Sequence, residues 1–533
     1  MKRAACTLVL MLLAAIGGAT SGFAKGRVTP YLEVGQVVSA ELNNGGDVLT
    51  YSSVAAGIDA TVQTERTALQ VNYRYERQIS WDDETNGGDV HTGLARGAYR
   101  LARGVSIEGG ALATRARIDI RGSAPGILVS RPDNVTQIYS AYAGPAVAAM
   151  AGPLLVRGAY RLGYTRVESD SFVLAPGQPR FDQYDDSVQH FATASIGMDT
   201  RDRAFGWNVS GKYRREDAGQ LDQRFESAGI RADLVVPVSP TVAAVGGIGY
   251  EDIEASQRAP LLDAAGAPVV NGKGRFVTDP ASPRLLAYDF DGIYWDVGVL
   301  WRPSRRTELE ARIGERFGST SVTGSFRYQL SRSTQAGIVV YDTLGTFGQL
   351  LNDNLALLPT AFGDGFNPLN PDFGGCVFGR EGAGAGGCLN PVFQSVSGSV
   401  FRTRGVTAVL SYERGPWSGG FGIGVARRTY RAPTVPGVVS LDGIRDESLF
   451  AQAQAGYRID EKSAVDAAIY MNIFDPGLNG APDVFSAGAT AAYQRRLARN
   501  VSGIAAIGLG SSSVDGFEDS LVLSGLLGAR VEF

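Results

Sequence analysis

The chain is poor in the residues on which soluble catalysis most often depends. It has 2 histidines, His91 and His190, and 3 cysteines in 533 residues. Its lysines are Lys2, Lys25, Lys212, Lys273 and Lys462, and arginine supplies nearly all the remaining positive charge. No P-loop, dinucleotide fingerprint or zinc-ligand motif occurs, which excludes the commonest nucleotide and zinc chemistries. A formal net charge of -4 with no basic cluster offers no electrostatic footprint for nucleic acid. Long apolar runs are scarce too. Beyond the N-terminus nothing approaches the roughly 18 consecutive apolar residues of a spanning helix, and mean hydropathy is -0.03. A chain with 44% hydrophobic and 20% charged residues is neither disordered nor a coiled coil.

The one apolar segment is residues 1–24. Lys2 and Arg3 form a positive start, Ala4 to Ile16 an apolar core, and Gly22-Phe23-Ala24 a small-residue cleavage site. These are the parts of a secretory signal, with cleavage expected after Ala24. Residues 25–533 then form the mature chain, whose only cysteines are Cys376 and Cys388.

From Arg27 onward, apolar and polar residues alternate in runs of about ten, the strand period rather than the helix period. Leu69, Val71, Tyr73 and Tyr75 oppose Gln70, Asn72, Arg74 and Glu76, and the same split recurs along the chain. Connections alternate as well. Ala151-Gly152-Pro153 and Arg414-Gly415-Pro416 are short, whereas 168–186, 257–284, 347–398 and 432–446 are long and polar. Short turns at one end and long loops at the other are the pattern of a bacterial outer-membrane barrel. The expected fold is therefore all-β: one transmembrane antiparallel up-and-down β-barrel of about 22 strands, with 20 to 24 allowed. The weakest expected hairpin is 306–331, whose outer connection is short. Aromatic residues near strand ends, such as Tyr73, Tyr75, Trp301, Trp417 and Tyr457, fit interfacial girdles. The strand pattern begins almost at Lys25, so no N-terminal plug and no TonB-coupled uptake are expected.

The last residues, Leu527, Ala529, Val531 and the terminal Phe533, alternate with Arg530 and Glu532. They resemble the C-terminal strand that the barrel assembly machinery recognises in Gram-negative outer-membrane proteins. The resemblance implies an assembly signal at Phe533, Val531 and Ala529, an outer-membrane location, and contact with lipid and lipopolysaccharide. The opening stretch from Arg27 to Trp81 looks like a group of alphaproteobacterial barrels, some associated with PEP-CTERM and exopolysaccharide systems. Members of that group are sometimes labelled a preprotein-translocase subunit, a label that does not suit a chain made of alternating strands. That likeness implies a conduit or structural part in export of a surface polymer, with export proteins as partners.

Three constellations carry the functional reading. Arg74, Arg157, Arg161, Arg214, Arg312, Arg316, Arg327 and Arg530, with Glu308 and Glu310, fall on the polar face expected to line the lumen. Rings of charge there would screen solutes by sign, or the arginines and carboxylates would pair with one another inside the lumen. Cys376 and Cys388 are expected to form a disulfide within loop 347–398, with no second pair of ligands to make a metal site. That Phe-, Gly- and Pro-rich loop is expected either to fold into the lumen as a constriction or to sit outside. His91 and His190 lack a marked nucleophile, so a rim hydrolase ranks last and no enzyme, cofactor or metal is expected. The leading expectation is a passive, porin-like channel for small polar solutes, with polymer export as the alternative.

Overall fold

In the computed structural model, residues 25–43, 48–81, 88–117, 135–168, 181–200, 204–363, 367–369, 372–373, 375–380, 382–394, 396–435, 439–478, 480–514 and 519–533 are described. The expected signal segment and Phe366 lie outside them. Strand follows strand: β1 Lys25–Glu41, β2 Val48–Gln63, β3 Thr67–Ser80, β4 Asp89–Ala102, β5 Val105–Arg117, β6 Val135–Ala151, β7 Leu154–Glu168 and β8 Asp186–Met198. Next come β9 Gly206–Ala218, β10 Arg224–Pro237, β11 Val242–Gln257, β12 Leu285–Ser304, β13 Thr307–Arg316, β14 Ser319–Gln329 and β15 Thr334–Gly345. An insert holds helix α1 Phe347–Leu357, strands β16 Cys376–Phe378 and β17 Gly386–Cys388, and helical turn α2 Asn390–Phe393. The ring resumes with β18 Val400–Arg414, β19 Trp417–Arg431, β20 Arg445–Arg458, β21 Ser463–Asp475, β22 Val484–Arg496, β23 Val501–Val514 and β24 Ser520–Glu532.

The main sheet has 22 strands, each antiparallel to its neighbours, and β1 pairs with β24 from Tyr31↔Glu532 to Glu41↔Val522. That pairing closes the sheet. Closure leaves no free edge, which is the condition for strands to cross lipid with every backbone group satisfied. The period of two puts one side of every strand outside. In β1, Val28, Leu32, Val34 and Val38 are exposed, whereas Thr29, Tyr31, Glu33, Val37 and Ser39 are buried. In β24, Leu527 and Phe533 are exposed while Leu526 and Arg530 are buried. The side turned away from the lumen is thus an apolar belt around a polar lumen, the inverse of a soluble sandwich.

The strand count agrees with the alternation, and so does the hairpin that looked weakest. β13 and β14 are joined at the loop end by Phe317-Gly318 alone, both at positive φ (54° and 67°), a tight turn that suits the twist of paired strands. At the opposite end the connections are short, for example Gly152-Pro153, Arg305-Arg306 and Gly415-Pro416. The long-loop end is taken as the cell exterior and the short-turn end as the periplasm.

Candidate functional site

The connection between β15 and β18 lies in the lumen. It begins with Thr346, whose Oγ1 accepts the backbone N–H of Gln349 at 3.2 Å and so caps α1. Phe347, Leu350, Leu351 and Leu355 recur at helical spacing and are buried. Pro359 follows the helix and disfavours helical geometry at Leu358, which is extended. Beyond it, β16 and β17 pair as a small hairpin, Cys376↔Cys388 to Phe378↔Gly386, and the two cysteines form a disulfide.

The insert is held from both sides of the ring. On the β4 to β9 side, the Arg96 guanidinium donates to the carbonyls of Ala356 (2.8 Å) and Leu358 (3.1 Å). Asn352 bonds Ser140, Thr165 and Gln189, and Glu216 accepts from Thr346. On the β18 to β22 side, the Cys376 N–H donates to Gln452 Oε1 (2.8 Å), Arg380 pairs with Glu413 (3.0 Å), and Asn367 donates to Thr490 (2.7 Å). Asp372 pairs with Arg115 of β5 at 2.7 Å. One segment touching both β5 and β20 has to cross the lumen. Its apolar core is shared with the wall: Leu112, Ile138, Val167, Phe401, Tyr430, Phe474 and Val484 cluster with Leu351, Leu355, Phe362, Leu389 and Phe393. Each large side chain so buried contributes roughly 1.5–3 kcal/mol.

Glycines on the wall make room for this packing. A Cβ at Gly420 would overlap the Phe378 ring, and one at Gly422 would overlap Cys376 Sγ and come within 2.9 Å of Cys388 Sγ. Gly420 and Gly422, alternate residues of β19, therefore form the slot that receives the β16–β17 hairpin.

The structure places the expected lumen residues as follows. Arg74 sits between Glu33 (3.0 Å) and Glu76. Arg530 pairs with Asp59 (2.5 Å) and Glu532 (3.4 Å) and lies 3.5 Å from the Tyr31 ring centroid. Arg161 (3.0 Å) and Arg214 (2.9 Å) share Asp353 of α1. Arg312 bonds Asp233, Asp296 and Glu310 at 2.6–3.0 Å, and Arg316 bonds Glu251 at 2.6 Å. Arg327 and Arg302 share Glu308. Arg157 shares the Arg161 side of β7 and is exposed. Most of these cations carry their own carboxylates. On the β9 to β13 wall the four cations Lys212, Arg231, Arg312 and Arg316 interleave with the four anions Asp233, Glu251, Asp296 and Glu310.

His91 and His190 lie on the outer side. Tyr73 Oη is 2.7 Å from His91 Nδ1, whose ring also meets Tyr75 and Tyr139, and Tyr160 Oη is 2.8 Å from His190 Nδ1. Asp89 bonds Tyr75 Oη at 2.8 Å and Arg77 at 2.9 Å.

Between the insert and the wall made by β20 to β22, β24, β1 and β3 runs a cavity of about 750 Å³. It reaches from Arg27, Arg458 and Gln494 near the short turns up to Asn472 and Ser486. Above it, Phe474, Val484, Tyr430 and Phe393 are buried in the shared apolar cluster. Farther out, the insert's end is tied to one outer loop, where Gln183 bridges Ser397, and that loop is tied to others: Gln220 Nε2 donates to Asp182 Oδ1 at 2.8 Å and Arg275 pairs with Asp185. Burial pushes the Asp182 carboxyl up to about 7, against the opposing pull of the Gln220 hydrogen bond and of Arg275.

Sequence reasoning missed α1, Asp353, Asp372 and the β19 slot. The Phe347-Leu350-Leu351-Leu355 spacing after a capping threonine, and glycine at alternate positions of β19, are the signals that could have found them.

No helix among the described residues is long and apolar enough to cross a membrane. The crossing is made by the strands, and an even-stranded single-chain barrel with this belt is a Gram-negative outer-membrane protein. The protein lies in the outer membrane.

No protein-family model and no curated protein matches the chain. Among solved structures it is similar to the ferric-catecholate import receptor Fiu from E. coli, at 11% identity and TM-score 0.44, over 95% of this chain and 81% of that one. The FrpB iron transporter from Neisseria meningitidis matches at 9% identity and TM-score 0.44, over 95% and 82%. The copper transporter OprC matches at 11% and 0.41, over 97% and 84%. Likeness of this degree assigns no ligand, and the architecture rests on the strand pairing.

Proposed function

We propose that the protein is an outer-membrane channel for small polar solutes whose lumen is restricted by its own β15–β18 insert. The observation that carries this reading is the cavity of about 750 Å³, lined by both polar and apolar side chains, running beside the insert from the periplasmic end. The apolar cluster of Phe393, Tyr430, Phe474 and Val484 above it acts as a roof. Solutes then move by diffusion when the roof yields, without a catalytic step.

A planar-bilayer recording tests the reading. The intact chain should show a low, flickering conductance, and a variant with residues 347–398 replaced by a short linker should show a large, steady one. A folded insert-deleted barrel that carries no current would overturn it.

A further inference from the structure

Resting on the channel reading above, we infer that the cavity beside the insert is a binding and transit site for uncharged polyhydroxylated solutes, the chemical class of small carbohydrates. Its volume of about 750 Å³ falls in the range of small-molecule sites. The wall that faces it is built from side-chain amides. Gln454 of β20 and Gln494 of β22 line it beside Ser486, together with Gln452, Asn472 and Thr490, whose side-chain oxygens already accept from the Cys376 N–H, Gln394 and Asn367 of the insert. A primary amide offers both donors and an acceptor, so it matches a hydroxyl, which is also both. Ala464 and Ala468, small residues of β21, line the cavity alongside these amides.

Charge at the cavity is matched internally. Arg74 is held by Glu33 and Glu76, Arg530 by Asp59 and Glu532, Arg115 by Asp372, and Arg380 by Glu413. At the periplasmic mouth Arg458 and Asp466 again carry opposite signs. An ion entering this space gives up hydration and meets counter-charges that are already engaged, which is costly. A neutral polyol exchanges its water hydrogen bonds for amide ones and meets no such cost. An aromatic face completes the site: Tyr470, packed over Gly488 where a Cβ would come within 2.5 Å of its ring, lines the cavity. Flat rings of this kind take the apolar C–H faces of sugar rings.

The opposite wall of the lumen differs. Along β9 to β13 the interleaved cations and anions bond one another, and the cavity there is about 260 Å³. The amide wall is therefore the side on which a neutral solute gains most.

The test is liposome swelling with the full chain and three solutes of similar size: glucose, gluconate and glucosamine. Glucose should enter about tenfold faster than either ion, a difference of about 1.4 kcal/mol. Gln454→Glu combined with Gln494→Glu keeps side-chain size but adds negative charge. It should slow glucose, speed glucosamine, and shift the KCl reversal potential toward cation preference. Retained heat-modifiable migration on a gel shows that the variant is folded. Entry ranked by size alone, or a folded double variant with unchanged solute order and reversal potential, overturns this inference and leaves the channel standing. No swelling by any solute, even after deletion of residues 347–398, overturns the channel reading and this inference with it.

Discussion

Substituting the glycine slot of β19 should open the channel. Gly420 and Gly422 lie beneath Phe378 and the Cys376–Cys388 sulfurs, and an added Cβ at either overlaps the hairpin. β19 is hydrogen-bonded along its length to β18 and β20, from Val400↔Arg431 and from Trp417↔Tyr457, so the strand cannot retreat. The hairpin, anchored by polar contacts such as Gln452 to the Cys376 N–H, has to yield. Forced overpacking of this kind costs about 1–3 kcal/mol. If all of it falls on the docked insert, the ratio of docked to undocked forms drops by about 5- to 150-fold for Gly420→Ala, with a similar drop for Gly422→Ala. Single-channel conductance should show longer and more frequent openings, and a membrane-impermeant phosphine should reduce the disulfide faster. Gly249→Ala is the control, since its Cβ would come within 2.5 Å of Tyr294 on the wall and touch no part of the insert. Conductance and reduction rate equal to wild type in folded Gly420→Ala and Gly422→Ala, or equal opening in Gly249→Ala, would refute the docking argument.

The disulfide closes the β16–β17 hairpin, so Cys376→Ser with Cys388→Ser should cost the insert roughly 2–4 kcal/mol and raise the open probability; a conductance trace identical to wild type would count against an insert that gates. Asp353→Asn leaves Arg161 and Arg214 without their shared carboxylate, and the KCl reversal potential should move toward anion preference. An unmoved potential would show that ions do not pass that wall. For Asp182 the sign runs toward acid. Its folded value of about 7 exceeds the ordinary 3.8, so the folded state binds the proton more tightly and the outer tie is strongest at low pH. Stability is lost as pH rises from 3.8 toward 7, and open probability should be greater at pH 8 than at pH 5. Asp182→Asn should flatten that dependence, and a persistent slope would place the titrating group elsewhere. Phe533 is exposed on the outer side with its N–H on the Pro30 carbonyl, and Phe533→Ala should lower the amount of assembled barrel recovered from membranes without changing the conductance of the barrels that form.

The ring was legible because a barrel wall obeys one local rule over and over. Leu69, Val71 and Tyr73 alternate with Gln70, Asn72 and Arg74, and neither set depends on a distant partner to declare its side. Turn chemistry supplied the rest, as at Gly152-Pro153 and Gly415-Pro416. The insert was not legible by the same rule. Its register is set by contacts such as Asp372 to Arg115 and Gln70 to the Phe362 carbonyl, which join residues hundreds of positions apart and leave no period in the chain.

The wall did carry a trace of the insert, in the places where alternation loses its polar half. A water-filled lumen asks for polar residues at inward positions, yet Leu112, Ile138, Val167, Phe401, Phe474 and Val484 point inward near the loop end. Apolar side chains there stay buried only if something apolar fills the lumen at that depth. The inward residues nearer the periplasm, such as Arg157, Glu308 and Arg327, remain charged and partly wet. The change from charged to apolar along the inner side marks where the insert's apolar core sits; its hairpin reaches lower, to Arg380 on Glu413 beside a short turn. It also shows why the roof is the part that must move: below it amide and charged side chains line part of the cavity wall, whereas at the roof apolar side chains are buried together, with Tyr430 Oη held by Asp446.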